Sequence, residues 1–205
     1  MVTLRSYRPD RAQDRDDVYD VCVRTAEAGE DARGVLSQDD LWGDIFAGPY
    51  LELEPELAFV LDDGERVVGY VLGAAGTARW AAAHRARWLP RVADRYPLPV
   101  APATREEHLV HLLHHPEDNV RPELAAYPAH LHIDVLPEYQ GGGHGRALIA
   151  AFVGALADRG VPGVHLGVLA ANTRARGFYA HLGFHELPVV EPDVVYLGRT
   201  TGVAA

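Results

Sequence analysis

The chain has 205 residues, enough for one well-filled core, and is 48 % hydrophobic and 23 % charged with a net charge of −10. That balance argues against a broad basic face for nucleic acid, and no apolar run reaches membrane-spanning length. A single cysteine, Cys22, rules out an intramolecular disulfide framework and suits a reducing cytoplasm; all 19 basic residues are arginine, so lysine chemistry is closed to this chain.

In chain order, Leu4–Tyr7 reads as a first strand closed by Arg8-Pro9. Val18, Val21, Cys22 and Ala26 have helical spacing within Asp16–Ala28, which places Cys22 as a small buried hydrophobe on that helix. Ser37 is expected to cap a second helix through Leu41, Trp42, Ile45 and Phe46, with Asp39 and Asp40 in its first turn and Gly48-Pro49 as its stop. Leu57–Leu61 and Val67–Leu72 form a hairpin about Asp63-Gly64. From Thr77 to Tyr127 the pattern changes to two helical pieces, Ala78–Ala93 and Arg105–His114, split by a proline-rich stretch, and reads as an insertion in one domain spanning 1–205. The order then runs strand Ala129–Leu136, a glycine cluster, helix Gly145–Arg159, strand Val164–Leu169, helix Thr173–Leu182, and strands Phe184–Leu187 and Val194–Leu197. Alternation of strand and helix in the second half predicts parallel strands there, and the hairpin predicts antiparallel ones earlier. The expected class is a mixed α/β fold with a central, mostly antiparallel sheet, one splayed parallel strand pair, and helices on both faces.

Gly141, Gly142, Gly143 and Gly145 stand directly before a helix, where their backbone entropy is costly. A P-loop fails for want of lysine. The dinucleotide fingerprint fails on spacing, because its third glycine would fall on Arg146 or Leu148, and the paired βαβ setting is absent. What remains is a backbone anion site, in which successive N–H groups at a helix N-terminus receive phosphate oxygens. Arg146 is either a charged contact to that anion or a solvated surface arginine.

The stretch Gln140-Gly141-Gly142-Gly143-His144-Gly145 resembles the Q/R-x-x-G-x-G/A signature of the GCN5-related N-acetyltransferase (GNAT) superfamily, with Val135, Pro137, Glu138 and Tyr139 in the places usual for its motif A. Asn172, Ala175, Phe178, Tyr179, Leu182, Gly183 and Phe184 resemble its motif B. The two motifs cover Ala129–Leu187, under a third of the chain. The resemblance implies acetyl-CoA as co-substrate, entering where Leu131–Leu136 and Val164–Leu169 part. It implies backbone pairing of Val135 and Leu136 with the pantetheine arm, and a pyrophosphate seat made by Gln140 and the amides of Gly141, Gly142, Gly143, His144, Gly145 and Arg146. It further implies that Asn172 either contacts the pantetheine or starts the next helix, and that Phe178 and Tyr179 lie at the cofactor. Tyr179 takes the place of the acid that protonates the leaving thiolate, its other reading being an aromatic that only packs there.

Direct attack of an amine on a thioester needs a proton acceptor as well. His130, His132 and Asp134 alternate and so share one strand face, an unusual polar triplet in a central strand. His132 or Asp134 is the candidate base, with His130 beside them at the acceptor; the other reading is a hydrogen-bonded network that shapes the pocket. Glu138 is a weaker candidate. By family position Trp42 and Tyr50 would wall the acceptor site. His108, His111 and His115 fall on one helical face; they read as neutral surface imidazoles, with zinc as the alternative, and no metal is expected.

The insertion departs from the family pattern, and its open uses are to cover the acceptor site, to form a homodimer face, or to add bulk. That segment and the run into motif A also resemble the acetyltransferase-like domain at the C-terminus of animal O-GlcNAcases. The expected function is therefore acetyl-CoA-dependent N-acetylation of a primary amine, on a small molecule or a protein, in the cytoplasm and without nucleic-acid or membrane partners. The alternatives are an acetyl-CoA-binding sensor or pseudoenzyme without turnover, and a non-catalytic interaction protein built around the insertion.

Overall fold

The computed structural model describes residues 1–202. Seven strands form one sheet in the order β1-β2-β3-β4-β5-β7-β6: β1 Thr3–Ser6, β2 Phe59–Asp62, β3 Val67–Ala74, β4 Ala129–Val135, β5 Gly163–Leu169, β6 His185–Glu186 and β7 Val194–Thr200. Every neighbouring pair is antiparallel except β4 and β5. This is the mixed α/β architecture expected from the sequence.

Two helical layers bury the sheet. Helix α7 (His144–Asp158) crosses β2, β3 and β4 on one face. Its Phe152 lies so close to Gly73 that a Cβ there would sit 2.4 Å from the ring and 2.2 Å from the carbonyl oxygen of His130. Only glycine lets α7 and β4 approach β3 that closely. The opposite face is covered by α1 (Ala12–Val23), α2 (Asp40–Phe46), α3 (Gly48–Leu53) and the insertion. The side chains of His130, His132 and Asp134 project into this second layer, whose Tyr50 they partly meet. No helix among the described residues is long and apolar enough to cross a membrane.

Several local expectations are corrected. Helix α1 starts at Ala12 and ends at Val23, four residues earlier at its start and five at its end than the apolar spacing implied. Ser37 does not cap α2: its N–H and hydroxyl both donate to the Glu106 carboxylate, at 2.8 and 2.5 Å, and Asp39 occupies the cap position. Gly48-Pro49 does not stop the chain's helical course but opens α3, because a proline in the first turn forfeits no intrahelical hydrogen bond. The final strands shift too, β6 shrinking to two residues and β7 running on to Thr200.

Within the insertion, α4 (Thr77–Ala83) and α5 (Leu89–Val92) are joined by a widened π-type turn over His84–Trp88. Pro90 cannot donate to the carbonyl of Ala86, and the ladder widens just before it. Helix α6 (Arg105–His114) is held by a capping box: Thr104 accepts from the Glu107 N–H at 3.2 Å while Glu107 accepts from the Thr104 N–H at 2.9 Å.

Candidate active site

Strands β4 and β5 pair only at Ala129↔Val164 and His130↔His165, then part. Each keeps its outer partner along its length, β4 with β3 and β5 with β7, so a wedge opens inside an otherwise continuous sheet. Antiparallel register decides which backbone groups face that wedge. The Leu136 N–H donates to Val68 at 3.0 Å, and the Leu136 carbonyl accepts from Tyr139 at 2.9 Å, so both of its backbone groups are taken. Alternation then turns the backbone of Ile133 and Val135 toward the wedge. Leu136, expected from the sequence to pair with the pantetheine arm, has its N–H and carbonyl engaged here, and Ile133 with the Val135 N–H forms the edge turned to the wedge. The Val135 carbonyl already accepts from Gln140 Nε2 at 2.8 Å.

At the wide end of the wedge stands the glycine loop. Gly141 and Gly143 have φ of 83° and 81°, left-handed values that side chains resist, and Gly143 is the N-terminal cap of α7. The N–H groups of Gly141, Gly142, Gly143, His144, Gly145 and Arg146 donate to no protein acceptor among the described residues. Arg146, exposed in the first turn, pairs with no carboxylate among the described residues. Gly145 serves packing instead. A Cβ there would lie 3.0 Å from Phe178, so its absence lets α7 and α8 (Thr173–His181) come together, and Phe178 buttresses the loop. Arg174 ties α8 to the loop through Gln140 Oε1 at 2.8 Å. Asn172 starts α8, its Oδ1 accepting from the Ala175 N–H at 3.0 Å.

Tyr179 is buried on α8 with its ring edge-on to Phe178 and Phe184. Burial, together with the nearby Asp134 charge, holds its phenol well above the ordinary value, so it stays protonated at neutral pH. Asp134 accepts from the Tyr70 hydroxyl at 2.7 Å, and burial pushes its carboxyl up to about 7.

At the narrow end lies a cavity of about 160 Å³. Three imidazoles on the sheet border it: His130 and His132 on β4, and His165 on β5. Tyr50 Oη sits 3.0 Å from Nε2 of both His130 and His132, and His130 Nδ1 lies 2.8 Å from Thr77 Oγ1. His165 Nδ1 lies 2.7 Å from the Tyr127 carbonyl oxygen. Burial lowers the pKa of all three, that of His132 to about 4, and these rings are neutral at pH 7. The lining contains no Asp, Glu or Arg. The insertion lines the cavity with Trp80, His84, Leu113 and Asn119, and His84 is likewise held down to about 4 by burial.

The structure thus brings Tyr50, His130 and His132 together at the cavity and places Asp134 farther along the wedge, outside the cavity lining. Trp42 is not on the cavity wall; it stacks on Phe46 at 6.1 Å under the Arg105 guanidinium, and Phe46, one turn on, reaches the cavity instead. His111 and His115 stack on each other at 3.9 Å, with His115 Nδ1 donating to the His111 carbonyl. Among the described residues no three His, Cys, Asp or Glu side chains gather as a metal site. His165 was missed. Its signal was a polar residue inside the buried run Gly163–Leu166 of a parallel strand, where continuous hydrophobics are the rule.

Comparison with known proteins gives the same outline. The family described as "Acetyltransferase (GNAT) family" matches residues 30–184. The chain is 30 % identical over 206 aligned positions to rat (Rattus norvegicus) protein O-GlcNAcase, with 97 % of this chain and 22 % of that protein covered, so it spans about a fifth of that relative's length. The crystal structure of SsHAT superposes with a TM-score of 0.93 at 55 % identity, covering 98 % of both chains. The Salmonella typhimurium protein yncA, solved with its cofactor acetyl-CoA, shares the fold at 13 % identity, with a TM-score of 0.56 and coverage of 100 % of this chain and 96 % of that one.

Proposed function

The chain belongs to the GNAT acetyltransferase family, and from that premise we propose that it moves the acetyl group of acetyl-CoA to an amine by direct attack. The observation that carries the reading is the wedge between β4 and β5, which runs from six amides without a partner among the described residues at its wide end to an imidazole-lined cavity at its narrow end. The amides of Gly141 to Arg146 would receive the pyrophosphate oxygens, and the side chain of Arg146 would add charge. The backbone of Ile133 and the Val135 N–H, on the edge turned to the wedge, would pair with the pantetheine arm. That track aims the thioester at the narrow end. The family's crystallised relative with acetyl-CoA supports this choice of co-substrate.

Tyr179 is assigned the proton that the leaving thiolate needs. A phenol held protonated by burial can donate it, and no hydrogen bond to another described residue competes for its hydroxyl. Asp134, bonded to Tyr70 and outside the cavity, is assigned to fixing β4 against β3 beside Tyr179. The amine's proton then falls to an imidazole at the cavity. The neutral lining favours an amine that enters uncharged, because a buried cation without a counter-charge is costly. The insertion, which walls the cavity, is the part of the chain that would select the acceptor.

Thiol release from acetyl-CoA, followed across a panel of primary amines that spans alkyl, benzylic and aryl types, tests the proposal. Release is expected to require an amine and to fall about 100-fold in Tyr179→Phe, at the lower end of the range for removal of a general acid. Acetyl-CoA binding without amine-dependent release from any member would instead make the chain a binding module.

A further inference from the structure

Three imidazoles on the sheet face the cavity, but their hydrogen-bond partners leave them in different states. His130 is satisfied at both nitrogens, by Thr77 Oγ1 at 2.8 Å and Tyr50 Oη at 3.0 Å, and has no lone pair to offer. His132 shares Tyr50 Oη with His130. If Thr77 donates to the Pro128 carbonyl, 2.9 Å away, His130 donates to Thr77, Tyr50 donates to His130, and His132 donates to Tyr50. His132 Nδ1 is then bare. If Thr77 instead donates to His130, every bond in the chain reverses and His132 Nδ1 carries the proton. The basicity of His132 at the cavity is therefore conditional on a hydroxyl three residues away in the network.

His165 is subject to no such ambiguity. Its Nδ1 partner is the carbonyl oxygen of Tyr127, which can only accept, so Nδ1 bears the proton and Nε2 bears the lone pair. Nε2 has no partner among the described residues, and the ring lines the cavity. The residue sits in the last register pair before β4 and β5 part, His130↔His165, at the narrow end of the wedge. Its aromatic neighbours are His130 at 5.8 Å and Tyr196 at 6.4 Å between ring centroids, and neither is charged at neutral pH. His84 also borders the cavity, but its Nδ1 is wholly enclosed, and Asp134 lies outside the lining.

We infer that His165 is a catalytic residue, its Nε2 being the atom that takes the proton from the attacking amine. The inference rests on the acetyl-transfer reading above. The amine lone pair forms the new C–N bond at the thioester carbonyl carbon. The amine N–H bond breaks, with its proton passing to His165 Nε2. The C–S bond breaks with its electron pair on sulfur, which takes the Tyr179 hydroxyl proton. The products are an amide and a thiol, and the imidazolium and phenolate exchange the remaining proton through solvent, which restores both groups.

His165→Asn keeps an N–H donor where Nδ1 stands and removes the lone pair at Nε2. With wild-type protein and the best amine of the panel, this variant is expected to lower kcat about 100-fold, to bind acetyl-CoA within about 2-fold of wild type, and to keep its melting temperature. Added imidazole, corrected for its own reaction with the thioester, is expected to restore His165→Ala by at least about 10-fold. On the wild-type protein, diethyl pyrocarbonate mapped by mass spectrometry is expected to modify His165 and not His130, with turnover lost in parallel. That measurement carries the test if the substitutions do not fold. A folded His165→Asn that keeps its rate within about 3-fold, or loss of turnover with His165 unmodified, overturns the inference alone. Wild-type protein that binds acetyl-CoA but shows amine-dependent thiol release with no member of the panel overturns the transfer reading, and this inference falls with it.

Discussion

The two ends of the wedge are built on opposite principles. The wide end is backbone: exposed glycines, two of them left-handed, present amides that no other described residue uses. The narrow end is side chain: buried neutral imidazoles and a tyrosine, gathered from α3, β4 and β5 and roofed by the insertion. A backbone site needs contiguous residues and tolerates no Cβ, so it leaves a local mark in the sequence. A side-chain site is assembled by topology from positions as far apart as Tyr50 and His165, so its mark is scattered. On the proposed reading the contrast also divides the labour: the glycine end would take the charged group of the co-substrate, and the imidazole end would meet the acceptor.

Substitutions at one end should therefore leave the other untouched. The largest expected effect is at the loop. Gly141→Ala with Gly143→Ala puts two side chains at left-handed φ and in the path of the anion, each at about 1–2 kcal/mol of strain. Acetyl-CoA affinity measured by calorimetry is expected to fall about 100-fold, or about 2.7 kcal/mol. An equal loss from Tyr50→Phe would break the comparison. Beside it stands Tyr179→Phe, expected to lower turnover about 100-fold with acetyl-CoA affinity within about 2-fold of wild type.

Tyr50→Phe comes third. It leaves Nε2 of both His130 and His132 without its partner in a buried setting, at a cost of about 1–3 kcal/mol in unfolding free energy by denaturant titration. Acetyl-CoA affinity is expected to hold. The smallest effect is on the acid side of the stability profile. His84 and His132 titrate near 4 in the fold and near the ordinary 6.5 unfolded, so between those values the unfolded chain binds more protons. Their contribution is complete above about pH 6.5 and is lost as pH falls toward 4. Asp134, raised to about 7, acts in the other direction: its contribution is present below the unfolded carboxylate value and is lost as pH rises through 7. Melting temperatures between pH 4.5 and 7.5 should show a shallower acid loss in His84→Leu and a steeper one in Asp134→Asn, whereas loop substitutions should leave the slope alone.

The same contrast explains how much could be read from the residues. The glycine loop, the parted strands and the start of α8 at Asn172 all follow from contiguous motifs. Leu136, placed at the cofactor by resemblance, has its backbone engaged with Val68 and Tyr139, because a motif names a strand but not its register, and register decides which backbone groups face the wedge. Trp42 does not line the cavity: a helix face cannot be assigned until its neighbours are known, and Arg105, from the insertion, takes its ring. Gly48-Pro49 read as a stop because proline ends one helix and opens another with equal ease. His165 was passed over because one polar residue in a buried strand is a weak signal. Only its pairing with His130 across the parting strands and its bond to Tyr127 give it a role.

The claim on which the rest depends is that the glycine loop seats the diphosphate of acetyl-CoA in the wedge. Calorimetric titration of the wild-type chain with acetyl-CoA, repeated with the Gly141→Ala, Gly143→Ala double variant, tests it most directly. One-to-one binding by the wild type, weakened about 100-fold in the folded variant, is the predicted result. No binding by the wild type at millimolar acetyl-CoA, or equal binding by both proteins, would contradict it.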